Sequence, residues 1–269
     1  MKYEPIKKSL GNVFNKHPYL RIVFYKLLDL LLLRAWHIKR ELKKIRKSIG
    51  DKASALDAGS GFGQYTYYIS TLSDNWKVKG VDVKEEQMAD CNNFFSKIKK
   101  SHRIKFETAD LTAFNDANEY NFILSVDVME HINDDILVFK NFYSSLKQGG
   151  ILLISTPSDQ GGSDVHDDDE ESFIAEHVRD GYNVIDIEEK LRFAGFSKID
   201  VRFSYGTPGQ ISWKLSMKYP ITLLNASKIF FIILPFYYII TYPFCLVLNY
   251  FDTIMKHKTG TGLIVKAWK

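Results

Sequence analysis

Between residues 53 and 206 the chain alternates short apolar or β-branched runs with longer stretches of helical period, and few folds accommodate that alternation. Ala53–Ala58, Val78–Val83, Ile104–Thr108, Asn121–Val126, Ile151–Ser155 and Lys198–Tyr205 read as strands. Between them, Lys84–Lys100 places Met88, Cys91, Phe94, Phe95 and Ile98 on one helical face. Asp134–Leu146 does the same with Ile136, Phe139, Phe142 and Leu146, and Asp180–Phe196 is a third such stretch, with Gly195 near its end. Strands joined by helices of this length are parallel neighbours in a sheet covered on both faces. Residues 260–269 read as one further strand. The expected fold class is therefore α/β, a doubly wound, mainly parallel seven-stranded sheet.

Two stretches stand outside the alternation. Leu20–Leu42 is leucine-rich and helical, but Arg21, Lys26, Asp29 and Arg34 interrupt it, which suits an amphipathic interfacial helix better than a span. The 23 residues from 229 to 251 carry no formal charge and lie between Lys228 and Asp252, long enough to cross a bilayer core of ~30 Å. If residues 260–269 complete the same sheet, however, the chain must return to the side it left, and Pro235 and Pro243 are expected to kink a continuous helix. The organisation expected is a basic helical extension (1–50), a core (51–206), an apolar insertion that dips into a leaflet or covers a greasy site (207–259), and the final strand (260–269).

Charge separates these regions. Residues 1–50 hold 13 Lys/Arg against 3 Asp/Glu, residues 51–213 hold 16 against 28, and residues 214–269 hold 7 against 1. An acidic middle would repel phosphate, so no nucleic-acid partner is expected, whereas basic apolar ends suit the anionic cytoplasmic face of a membrane. Cys91 and Cys245 stand apart from any Cys/His cluster, which argues against a zinc site or a redox pair. Residues 1–8 do not lead into a secretory signal, and the chain reads as cytoplasmic.

The chemistry is carried by Ala55-Leu-Asp57-Ala-Gly59-Ser60-Gly61-Phe-Gly63-Gln-Tyr-Thr66, which leaves a strand and opens a helix. Glycines there let backbone approach a ligand at a helix N-terminus. The dinucleotide pattern GxGxxG fails in both registers, since its third glycine would fall on Gln64 or Thr66, and no Gly-Lys-Ser/Thr follows to make a P-loop.

This DxGxGxG stretch resembles the first motif of class I S-adenosylmethionine-dependent methyltransferases, and the resemblance continues in order: Gly80-Val-Asp82, Thr108-Ala-Asp110-Leu111, Ser125-Val-Asp127-Val-Met-Glu130-His131-Ile132, and Leu146-Lys-Gln-Gly-Gly150. The fourth segment is similar to one found in the small-molecule branch that includes quinone-biosynthesis enzymes. The resemblance covers about residues 50–206 and the final strand, and it implies a Rossmann-like methyltransferase fold with S-adenosylmethionine as cofactor. It implies that Asp57, Gly59, Ser60, Gly61 and Gly63 cradle the donor, with Asp57 near its ammonium. It likewise implies Asp82 and Val83 at the ribose, Asp110 and Leu111 at the adenine, and Asp127 beside them. An acidic core suits a cationic sulfonium donor.

On the acceptor side, a hydroxyl would need a base, for which histidine is suited near neutral pH. His131 follows the fourth strand. His166 lies in a loop with the acidic run 167–171, and His177-Val-Arg179 precedes a helix. His131 and His177 are the candidate bases, and Arg179 is the candidate grip on an anionic or carbonyl group. No metal is assigned. The expected reaction is methyl transfer to an oxygen or carbon of a hydrophobic small-molecule or lipid-like acceptor, by a protein peripheral on the cytoplasmic membrane face. The alternatives are a polar glycan or metabolite as acceptor, with the insertion as a mere anchor, or a non-catalytic S-adenosylmethionine-binding scaffold.

Overall fold

The computed structural model describes residues 17–161, 178–227 and 230–269. Seven strands, β1 (Ala53–Ala58), β2 (Trp76–Asp82), β3 (Ile104–Thr108), β4 (Tyr120–Val126), β5 (Leu146–Pro157), β6 (Lys198–Ser204) and β7 (Gly262–Trp268), form one sheet in the order β3-β2-β1-β4-β5-β7-β6. The pairs from β3 to β5 are parallel, and β7 runs antiparallel to β5. The winding direction reverses between β1 and β4, the position where open α/β sheets bind ligands beyond their strand ends. The seven strands and the helices between them are those the alternation predicts.

The helices, in chain order, are α1 (Pro18–Leu31), α2 (Leu33–Ile49), α3 (Gln64–Leu72), α4 (Glu85–Lys97), α5 (Asp135–Ser145), α6 (Val184–Phe193), α7 (Thr207–Trp213), α8 (Tyr219–Ala226) and α9 (Phe230–Ile254); a π-helical turn, Lys214–Lys218, joins α7 to α8. Local chemistry sets several starts. The Asp134 side chain accepts from Leu137 N–H at the head of α5, and Asn183 accepts from Ile185 N–H at the head of α6. Glu85 and Glu86 begin α4 and Lys97 ends it, each of favourable sign for the helix dipole.

Residues 38–202 with 262–269 form one compact unit, and residues up to 37 with 203–261 form another. In the first unit, the aliphatic side chains of the central strands (Leu56, Ile123, Leu124, Leu152, Leu153) are buried with Phe95, Phe139 and Phe142 from α4 and α5. Its edge strand β3 is protected by a side chain: the Asn92 amide donates to Phe106 C=O and accepts Phe106 N–H, at 2.8 and 3.0 Å.

Two expectations change here. Leu146–Gly150, read as a turn into the fifth strand, is already strand, because Gly149 N–H donates to Lys269 C=O and Lys269 N–H to Gly150 C=O. The five-residue step from Leu146 to Ile151 opposes the two-residue step from Tyr120 to Phe122, a large bulge with Gly149 at φ +74°. The stretch 20–42 is two helices rather than one. Leu32 is extended, Leu30 C=O accepts from Trp36 Nε1 and Tyr242 Oη, and Arg34 N–H donates to Tyr205 Oη. The two groups that a continuous helix would have bonded to each other are thus satisfied by side chains. The kinks expected at Pro235 and Pro243 do not end the helix, since α9 runs through both.

Candidate active site

The glycine-rich turn between β1 and α3 is held from below by β2. Gly59 N–H and Ser60 N–H both donate to Val81 C=O, at 2.8 and 2.9 Å, and Gly63 N–H closes the turn on Ser60 C=O. Gly59, Gly61 and Gly63 all have left-handed φ, +77°, +51° and +82°. Space is decisive at the first of them: a Cβ on Gly59 would stand 2.2 Å from Val128 Cγ2, in the turn that follows β4. On Gly61 it would meet nothing within 4 Å, so this part of the loop faces open space. Gly80 matters in the same way, since its Cβ would press on the Phe106 ring at 2.5 Å and on Ser60 Oγ at 3.0 Å.

Two carboxylates hold this turn in different ways. Asp82, at the end of β2, accepts Gly61 N–H on Oδ2 (3.0 Å) and Lys84 N–H on Oδ1 (3.1 Å). A carboxylate has about four lone-pair sites, so each oxygen keeps capacity for a further donor. Asp57, at only 2% exposure, accepts Thr66 Oγ1 at 2.5 Å together with Thr66 N–H, capping the first turn of α3. Burial pushes its carboxyl up to about 6; the Thr66 hydrogen bonds oppose that, and the Asp82 charge adds to it. Asp57 is thus turned onto α3, and Thr66, which closed the motif in the sequence, is its partner.

Further along the edge, Asp110 is exposed and folds back on Thr112, accepting its N–H and Oγ1 at 2.8 Å each; those bonds hold its carboxyl below the usual range. Its neighbour Leu111 is buried, and Val83, just past the end of β2, is exposed. Asp127 closes β4 in the left-handed region, φ +52°, its N–H bonded to Ser155 C=O. Such backbone is strained for a non-glycine residue and is least costly for Asp or Asn. It turns the chain so that Val128 reaches Gly59.

The acceptor-side residues separate. His131 is exposed at the end of a 3₁₀ turn, Met129–His131. His166, His177 and the acidic run 167–171 lie outside the described residues. Arg179, expected to grip an acceptor, instead has its guanidinium engaged within its own unit. It donates to Asp135 Oδ2 at 2.6 Å, to Met129 C=O, Ile132 C=O and Asn133 C=O, and to Tyr182 Oη, and it lies 4.9 Å from the centre of the Tyr182 ring. Asp135 and Tyr182 are both buried, and Tyr182 Oη also donates to Asp135; burial first, then that hydrogen bond and the Asp135 charge, drive the phenol far above its ordinary pKa. In this geometry Arg179 ties the segment after residue 177 to the turn after β4. The sequence carries no local signal for this pairing, because Asp135 lies 44 residues before Arg179. Glu130, also unassigned from sequence, is 1% exposed and accepts Thr156 Oγ1 at 3.2 Å, tying the same turn to β5.

A family model described as "Methyltransferase domain" matches residues 19–199. The chain belongs to this family. As a class I methyltransferase it uses S-adenosylmethionine. It is 30% identical over 165 residues to phosphoethanolamine N-methyltransferase 1 of Triticum aestivum, covering 60% of this chain and 31% of that one. To its Arabidopsis thaliana counterpart it is 31% identical over 173 residues, covering 60% and 32%. The chain thus spans about a third of the length of the curated relatives it matches. Among solved structures, phosphoethanolamine N-methyltransferase 2 of Haemonchus contortus, in complex with S-adenosyl-L-methionine, superposes with a TM-score of 0.58 at 21% identity, over 86% of this chain and 52% of that one; this likeness establishes the fold.

The methyltransferase's donor edge fits such a cofactor on its own chemistry. A glycine turn with an open side at Gly61, a carboxylate at the end of β2 with lone pairs remaining, and a second exposed carboxylate at Asp110 lie past the ends of β1, β2 and β3, on one side of the switch point. The cofactor supplies an electrophilic sulfonium methyl. Gly59–Gly63 would receive its amino-acid end, Asp82 its ribose and Asp110 its adenine. Asp57 would act through the turn, by fixing the start of α3.

Proposed function

We propose that this methyltransferase acts on an oxygen or carbon of a hydrophobic, lipid-like acceptor, working peripherally on the cytoplasmic face of a membrane. The observation that carries the reading is that a chain with a complete donor edge also holds a 25-residue helix, α9, whose large apolar side chains are mostly exposed. A soluble acceptor gives no reason to keep such a surface. In this reading His131, in the 3₁₀ turn that follows β4, accepts the proton of a hydroxyl acceptor. Arg179 and Tyr182, through Asp135, keep the turn that carries His131 in place. Holding methyl and acceptor in line supplies much of the acceleration, since a positioned pair reacts as one molecule.

A second reading is favoured by the relatives' names: the acceptor is the amine of a phosphoethanolamine-type molecule, and the apolar helix serves only to hold the enzyme near its substrate's source. Incubating the full chain with methyl-labelled S-adenosylmethionine, a detergent-solubilised membrane lipid extract and free phosphoethanolamine separates the two. Label in the organic phase, sensitive to His131→Ala, is the expected result. Label confined to the aqueous phase on phosphoethanolamine would overturn the lipid-acceptor reading and establish the second.

A further inference from the structure

The helix α9 is apolar on every side, yet it has two distinct faces. One is used for packing along nearly its whole length. Tyr237 Oη donates to Leu215 C=O at 2.7 Å, Tyr238 Oη to Ser216 C=O at 2.8 Å and Tyr242 Oη to Leu30 C=O at 2.8 Å. Cys245 and Asn249 are buried, and Cys245 C=O accepts from Ser212 Oγ. At the far end Asp252, fully buried, accepts from Gly209 N–H (2.9 Å) and Tyr205 N–H (3.1 Å), lies 2.8 Å from His37 Nε2 and pairs with His257. Positions 238, 242, 245, 249 and 252 follow a helical period, so this is a single stripe.

The opposite stripe, Ile232, Phe236, Ile239, Phe244, Val247 and Phe251, is exposed from end to end, with Ile239 at 72% and Ile232 at 70%. Tyr250, 55% exposed on the same face near its C-terminal end, brings a hydroxyl; the six themselves bring no charge and no hydrogen bond, so most of the stripe offers a protein partner nothing polar to set its register, unlike ordinary interfaces with their rim of hydrogen bonds. The charge of the surrounding unit does select a partner. Its described residues carry Arg21, Lys26, Arg34, Lys214, Lys218, Lys256 and Lys258 against Asp29 and Asp252 alone; Arg21 and Asp252 are buried, which leaves six cations against Asp29.

We propose that the outward stripe of α9 is a monotopic lipid-docking surface, lying in the plane of one anionic leaflet. This deepens the proposed function by naming the surface that would bring the enzyme to its acceptor. The in-plane orientation follows from the packing stripe, whose hydrogen bonds to the neighbouring helices run from Tyr237 to Asp252. Crossing the bilayer would carry those neighbours, Lys214 and Lys218 among them, into the hydrocarbon. Pro235 and Pro243 leave the carbonyls of Phe231 and Ile239 without their intrahelical donors, a cost that headgroup water relieves and hydrocarbon does not. Apolar side chains inserted 5–10 Å below the headgroups, with basic residues around them, are the balance on which interfacial helices depend.

The test reads lipid binding rather than methyl transfer, so it stands or falls separately from the acceptor assignment. The full chain is mixed with phosphatidylcholine vesicles, with and without phosphatidylglycerol, and floated. Wild type should float with the anionic vesicles and at least about tenfold less with the neutral ones. The double variant Phe236→Glu/Ile239→Glu should lose flotation by a similar factor while still binding S-adenosylmethionine. Flotation unchanged in the variant, no flotation with either vesicle, or a concentration-dependent dimer that the same variant dissolves, would each overturn the lipid surface. For orientation, a Ser227→Cys variant is exposed in intact expressing cells to a membrane-impermeant maleimide; the native Cys91 and Cys245 are buried. Labelling only after lysis is expected, and labelling of intact cells would overturn the in-plane arrangement.

Discussion

The two compact units treat apolar residues in opposite ways. In the sheet unit the central strands are apolar runs buried on both faces, and each helix buries the face that its 3.6 period marks. In the second unit α9 has no such period, because both of its faces are apolar, and what decides which face packs is a handful of hydroxyls and one carboxylate. Tyr237, Tyr238, Tyr242 and Asp252 choose the inner stripe by what they bond, and the outer stripe is the remainder. Apolar character alone therefore places a residue in the sheet unit but not in the helical one.

The largest effect is expected at the glycine turn. Gly59→Leu would force a side chain into Val128 from a left-handed backbone, and binding of S-adenosylmethionine should fall beyond detection, at least about 100-fold, with a loss of roughly 2–4 kcal/mol in urea unfolding. Next comes Arg179→Ala. It leaves the Asp135 carboxylate, which also takes Tyr182 Oη and Lys190 Nζ, without its guanidinium, and should cost about 3 kcal/mol of stability. Arg179→Lys should recover only part of this, because an ammonium cannot reach the carboxylate and three carbonyls as a planar fork does. Unchanged stability with a raised acceptor KM would instead return Arg179 to the acceptor.

Asp57 gives a smaller effect with a definite sign. Its folded pKa of about 6 lies above the unfolded 3.8, so the protonated form is favoured in the fold. Its contribution is most favourable below pH 3.8 and is lost as pH rises through 6. Asp57→Asn should remove that dependence and leave the variant on the order of 1–3 kcal/mol more stable relative to wild type at pH 7 than at pH 4, read from urea midpoints at the two values. The smallest effect belongs to the outer stripe. Ile239→Glu alone should shift stability in buffer by less than about 0.5 kcal/mol, as expected of an exposed site, and a larger loss would mean that the stripe is covered by protein.

The parts of the fold legible in sequence were those where local pattern and burial agree. The strands at 53–58 and 104–108 fall as read, and the adjacent strands β2, β1 and β4 place Asp82, Asp57 and Asp127 at their ends around the switch point. What escaped was set by tertiary partners. The break at Leu32 has no Gly or Pro to announce it and depends on Trp36, Tyr242 and Tyr205, two of them over 170 residues away. The early start of β5 depends on Lys269 at the far end of the chain. At the site, the glycines and carboxylates could be named from spacing, but their division of labour could not: Asp57 bonds Thr66 and Asp82 bonds Gly61 and Lys84 because of where β1 and β2 end.

The donor edge is tested most directly by calorimetric titration of the full chain with S-adenosylmethionine, wild type beside Asp82→Ala and Asp57→Asn. Asp82→Ala removes the carboxylate that fixes Gly61 and would receive the ribose, so binding should weaken by about 100-fold or more. Asp57→Asn keeps a hydrogen-bond acceptor for α3 and should bind within about tenfold of wild type. Equal affinity for wild type and Asp82→Ala, in protein shown to be folded, would contradict the assignment of this edge as the place where the methyl donor is held.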